Sequence, residues 1–100
     1  MTRFNVLPSE DFTCDVESHL RFLANVSISA AKRLNDQFKK AIYELKDAAD
    51  YYPIFYKQYR KIVVADRYAV FYEIVGNDVY VDHSFDMRTS EYNDIILDIE

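Results

Sequence analysis

The hydrophobic period of this chain changes once, at Tyr52-Pro53, and that change restricts the fold more than any motif does. Ahead of it the apolar residues recur at helical spacing: Phe12, Val16, Leu20 and Leu23, then Ala31, Leu34, Phe38, Ala41 or Ile42, Leu45 and Ala48 or Ala49. Ser9 is placed to cap the first run, with Glu10 and Asp11 in its first turn, where carboxylates meet the positive end of the helix dipole. This predicts a helix from Glu10 to Asn25. The Val26-Ser27-Ile28-Ser29 break supplies a second cap, and a second helix should run to Asp50. So short a connection implies an antiparallel hairpin, with Lys32, Arg33, Lys39, Lys40 and Lys46 largely on its solvated side.

Pro53 ends the helical half because it forces Tyr52 out of the helical region. Beyond it the period is two. Ile62-Val63-Val64-Ala65 is a β-branched run, Asp66-Arg67 a tight connection, and Tyr68 to Val75 a strand with Tyr68, Val70, Tyr72 and Ile74 on one face and Ala69, Phe71, Glu73 and Val75 on the other. Gly76-Asn77-Asp78 reverses the chain, the glycine taking the positive φ, into a strand from Val79 to Phe85. Arg3 to Leu7 alternates before Pro8 and suits a further short strand. From Asp86 to Glu100, Ile95, Ile96, Leu97 and Ile99 stand among five acids, as a short helix or an edge segment.

The order is strand, helix, helix, then three strands: an α+β fold in which an N-terminal strand and a three-stranded antiparallel meander are backed by a two-helix hairpin, with a possible short C-terminal helix. A length of 100 residues suits a single domain, 1–100, and 50% hydrophobic residues suffice for a core. The function should lie on the sheet face away from the helices.

Composition narrows the chemistry. Gly76 is the only glycine, so neither a dinucleotide fingerprint nor a P-loop can exist. A net charge of −5 argues against nonspecific attraction to nucleic acid or anionic membrane, leaving only a local basic patch for such contact. His19 and His83 lie far apart, Cys14 is the one cysteine, and no zinc-ligand spacing occurs, so no metal or other cofactor is expected. The absence of an apolar leader or span points to a cytoplasmic protein with no membrane partner. Cys14 reads as a packing residue unless a base stands beside it.

Lys57-Gln58-Tyr59-Arg60-Lys61 places three cations among tyrosines, which can hold phosphates and stack on bases, or simply form a solvated edge. Arg67 either extends that patch or is a turn charge. His83, between Asp82 and Ser84, can serve as an acid or base near neutrality or as a hydrogen-bonded strand residue; successive strand side chains point apart, so the three are not a triad. His19 is less suggestive. Asp86-Met87-Arg88 with Tyr92 can stabilise a phosphorane and move a proton, or can be a structural ion pair. Glu73 and Asp82 are a possible carboxylate pair across strands.

With Tyr51-Tyr52-Pro53 closing the helices, Tyr59-Arg60-Lys61-Ile62-Val63-Val64, Arg67-Tyr68-Ala69-Val70-Phe71-Tyr72-Glu73-Ile74, the Gly76-Asn77-Asp78 turn, and Val79-Tyr80-Val81 leading to Asp86-Met87-Arg88, the chain resembles the RelE/ParE superfamily of bacterial type II toxin–antitoxin toxins. The resemblance implies a growth-regulating or plasmid-stabilising toxin neutralised by a cognate antitoxin that wraps around it. RelE-like members inhibit translation as metal-independent endoribonucleases that cleave mRNA on the ribosome; ParE-like members inhibit DNA gyrase without such chemistry. On the nuclease reading, toward which the basic patch leans, Arg60, Lys61, Arg67, Arg88 and Tyr92 are the catalytic candidates. The family's nucleases commonly carry arginine where Ala69 stands, and Arg67, two residues earlier, is the natural substitute if the strand is regular. The alternatives are a ParE-like gyrase inhibitor and a degenerate toxin fold that only binds protein.

Overall fold

Ser9 accepts a hydrogen bond from the Phe12 N–H at 2.9 Å in the computed structural model, which describes residues 3–99. Met1, Thr2 and Glu100, which entered the reading of the two termini, lie outside them. The bond starts α1 (Glu10–Ala24). Ser27 does the same for α2 (Ile28–Ala48) by accepting from the Ala30 N–H at 3.2 Å, so both predicted caps start their helices. One turn of 3₁₀ helix, Ala49–Tyr51, follows before Pro53.

The strands are β1 (Asn5–Pro8), β2 (Ile54–Tyr56), β3 (Tyr59–Val64), β4 (Tyr68–Val75) and β5 (Asp78–Asp86). They form one sheet in the order β1-β5-β4-β3-β2, with β1 parallel to β5 and the other pairs antiparallel. The α+β class and the meander are as the sequence predicts. Two details differ. Ile54–Tyr56 adds an edge strand that three residues could not announce, and β3 begins at Tyr59, so Arg60 and Lys61 lie within the sheet. The β3–β4 reversal is centred on Ala65 and Asp66, with φ of 55° and 54°, one residue earlier than expected. Positive φ at both central residues matches the twist of the hairpin. Gly76 takes its predicted positive φ, 63°.

Alternation along β4 divides the core in two. Tyr68, Val70 and Tyr72 face the helices and pack with Leu34, Phe38, Leu45, Val79 and Val81. Each such buried side chain contributes about 1.5–3 kcal/mol. The Tyr72 hydroxyl, fully enclosed, donates to the Ala49 carbonyl at 2.6 Å and ties the sheet to the end of the helical hairpin. Ala69 and Phe71 face the other way. They are covered by α3 (Ser90–Ile99), whose Tyr92, Ile95 and Ile96 pack against them with Phe55, Phe85 and Met87. The C-terminal segment is therefore helical, and the sheet face expected to be open is capped in part, because its apolar strand residues and the apolar edge of α3 bury one another.

Candidate functional site

The five residues singled out from the sequence fall in three separate places. Arg60 is opposite Tyr72 in the β3–β4 register, on the helix side. Its guanidinium donates to the carbonyls of Tyr52 and, at 3.5 Å, Asp50, satisfying the end of the 3₁₀ turn.

Lys61, one residue on, emerges on the α3 side. Its Nζ donates to the Tyr92 hydroxyl at 3.0 Å and lies 3.8 Å from the centroid of the Phe55 ring. Tyr92 is buried beside Ala69, which has no exposed surface.

Arg67 and Arg88 converge on Asp86. Arg67 donates to Oδ2 from Nε and Nη2 at 3.0 and 2.8 Å, and its guanidinium lies 5.1 Å from the centroid of the Tyr68 ring. Arg88 approaches Oδ1 with its backbone N–H at 3.0 Å and its Nε at 3.4 Å. Burial by itself would raise the Asp86 pKa, but the hydrogen bonds from Arg67 and from the backbone and side chain of Arg88 outweigh it and hold the carboxyl at about 2. The Arg67 guanidinium is thus engaged at the β4–β5 end, on Asp86 and the ring of Tyr68, a residue of the helix-facing row, while Ala69 belongs to the α3-facing row.

Asp86 lies on the wall of a cleft of about 700 Å³ between α1, the adjoining ends of β4 and β5, and the approach to α3. Here the structure assembles residues that the sequence left apart. His19 Nε2 is 3.2 Å from Ser84 Oγ and its ring lies 4.6 Å from that of Tyr68. Burial lowers the pKa of His19. Asp15, one helical turn earlier, accepts from the Ser84 N–H at 3.0 Å and lies 3.4 Å from His83 Nδ1. His19 is seven residues after Phe12, which places it beside the apolar stripe of α1, and that spacing was the available signal of its inward position. In this cleft two cations face Asp15, Asp86 and Glu91.

The rest of the α3-side face is not cationic either. Tyr59 and Glu73 share that face with Lys61 and Phe71 by alternation, and Asp82, left unpaired by a bulge between Phe71 and Tyr72, lies near both. Burial, then the nearby Glu73, raises the Asp82 pKa; burial, then Asp82, raises that of Tyr59. Gln58 Nε2 donates to Glu73 at 3.2 Å. Among the described residues no group of three or more potential metal ligands occurs, and no helix is long and apolar enough to cross a membrane.

A sheet of this order, carrying a helical hairpin on one face and a short helix on the other, defines a RelE/ParE-like fold. Among solved structures the chain is similar to one described as "Chromosomal ParDE TA system from P. aeruginosa", with a TM-score of 0.72 over 84% of this chain and 96% of that one, at 8% identity. The likeness is one of fold. No family model and no curated protein matches the sequence.

Proposed function

We propose that this chain is the toxin of a type II toxin–antitoxin pair, held inactive by a cognate antitoxin, and that it arrests growth by binding a protein target, as the ParE-like branch does with gyrase. The fold and its likeness to the ParDE structure support the first part. The second rests on one observation: Arg60, Lys61 and the Arg67/Arg88 pair occupy three places, each engaged by carbonyls, a tyrosine hydroxyl or Asp86. Metal-independent cleavage of a phosphodiester needs cations gathered where charge develops on the phosphate.

The endoribonuclease reading keeps one point in its favour. Arg88 is two-thirds exposed, at 66%, and shares its cleft with Arg67 and the titratable His19.

Induced expression with parallel readouts of growth, mRNA 5′ ends and plasmid supercoiling separates the two. Growth arrest with lost supercoiling and intact messages is expected. New mRNA ends that vanish in Arg88→Ala would establish the nuclease instead, and growth unaffected by induction would sink the toxin reading altogether.

A further inference from the structure

The α3 side of the sheet is covered over Ala69, Phe71 and Phe85 and open beyond them. In the open part Leu7 of β1 is opposite Tyr80 of β5, and Tyr80 is opposite Glu73 of β4. Tyr59 of β3 precedes Arg60, which pairs with Tyr72, and so stands on the other flank of Glu73. Strand alternation sends this row to the face that bears Phe71. With neighbouring strands about 4.8 Å apart, the row is about 14 Å wide. Leu7 is 44% exposed, Tyr80 37%, and Val75, next on the same side of β4, 55%.

The charge on this open part has one sign. Glu73 is joined there by Asp78, opposite Val75, and by Asp82, which the bulge leaves close to Tyr59 and Glu73. Among the described residues Glu73, Asp78 and Asp82 enter no salt bridge, whereas Asp50 is paired with Arg3 and Asp86 with Arg67 and Arg88. Glu73 and Asp78 accept from neutral amides, those of Gln58 at 3.2 Å and Asn5 at 3.3 Å. Lys57 and His83, at the border, lie over the Tyr56 ring and beside Asp15. Burial and the nearby Glu73 raise the Asp82 pKa, so a cation brought to this face relieves a repulsion that the free chain carries.

A flat surface of tyrosine, aliphatic side chains and carboxylates repels the phosphates of RNA. What complements it is a protein surface bearing arginine or lysine, since such cations meet carboxylates and also lie on tyrosine rings. We propose that the open part of this sheet face, around Tyr80 and Glu73, is the docking surface for a basic segment of a protein partner. The cations of that segment meet Glu73 and Asp82, and its apolar residues meet Leu7 and Tyr80. On the reading of the chain as a toxin with a protein target, the partner is the target; that assignment rests on the reading, while the preference of the face for cations does not.

The test uses the full chain, isotopically labelled for amide NMR spectra, and a peptide of about 12 residues, long enough to cross the face as helix or strand. The peptide carries arginine and leucine in equal number, and a counterpart with glutamate for arginine serves as the control. The arginine peptide should move the amide resonances of Leu7, Glu73, Tyr80 and Asp82 saturably and leave those of α2 in place. It should bind at least about tenfold more tightly than the glutamate peptide. Glu73→Gln with Asp82→Asn should weaken binding about tenfold or more, and so, separately, should Tyr80→Ala, with unchanged circular dichroism. Asp36→Asn with Glu44→Gln removes the same charge from exposed positions of α2 and should change binding by less than about twofold. Equal losses in the two double variants, indifference to Tyr80→Ala, shifts centred on another face, or no saturable binding to the wild type would each overturn the inference. A chain that binds the peptide at this face but does not arrest growth loses the toxin reading and keeps the docking surface. One that arrests growth and shows none of these shifts loses the docking surface alone.

Discussion

Lys61 donates from Nζ to the Tyr92 hydroxyl at 3.0 Å, and this bond joins β3 to α3 over the smaller of the two cores. A second fastening lies near the other end of the helix, where the Tyr56 hydroxyl donates to Asp98 at 2.8 Å. Between them the attachment is apolar. Tyr92→Phe should cost about 1 kcal/mol, the worth of one hydrogen bond, and Tyr92→Ala about 3 kcal/mol through the cavity it leaves. Hydrogen exchange should quicken in residues 90–98 of Tyr92→Ala while α2 keeps its protection. Unchanged exchange in α3 would show that Tyr92 does not hold it down.

Asp86 should contribute to the loss of stability in acid. Its folded pKa of about 2 lies below the unfolded value near 3.9, so its contribution is complete above about pH 5 and disappears as the pH falls toward 2. The full effect is about 2 kcal/mol. Asp86→Asn should be less stable at pH 7 by a comparable amount, with a flatter pH profile below 5, measured by urea unfolding. A variant that retains the wild-type acid limb would mean that Asp86 is not its source.

Tyr72→Phe removes a buried hydrogen bond of 2.6 Å between the sheet and the Ala49 carbonyl. A loss of about 1–2 kcal/mol is expected at pH 7. Burial also raises the Tyr72 pKa, so the wild type should lose stability as the pH climbs above the unfolded value near 10. Tyr72→Phe should lack that alkaline component. Thermal melts at pH 7 and 11 check both effects.

Ala65 holds a left-handed conformation, φ 55°, at an exposed turn. A side chain there costs about 1 kcal/mol relative to glycine. Ala65→Gly should therefore raise stability by about 0.5–1 kcal/mol, a gain reduced by the extra entropy of the unfolded chain. A lowered melting temperature would show that Ala65 makes a contribution its conformation does not reveal.

Most of the secondary structure was legible because the signals were local. Ser9 and Ser27 cap their helices, Gly76 turns the chain, and Tyr68–Val75 runs as its alternation indicates. The three-residue β2 and the bulge at Asp82 were not legible, since neither has a local energetic reason apart from the strand it pairs with. The candidate site was the least legible part. Arg60 and Lys61 read as one basic cluster in the sequence, yet adjacent strand residues point to opposite faces, so the sheet sends one to the 3₁₀ turn and the other to α3. His19 and Ser84, 65 positions apart, meet only because α1 lies across β5.

What the sequence alone determined is the α+β order, the helical hairpin and the meander, because periodicity, caps and turn residues act within a few positions of themselves. The tertiary structure decided that the far side of the sheet would be covered in part by α3, that Asp86 would gather Arg67 and Arg88, and that Leu7, Tyr80 and Glu73 would stand side by side where that side stays open. Each of these depends on which face a side chain takes and what packs over it, and such relations belong to pairs of elements distant in the chain.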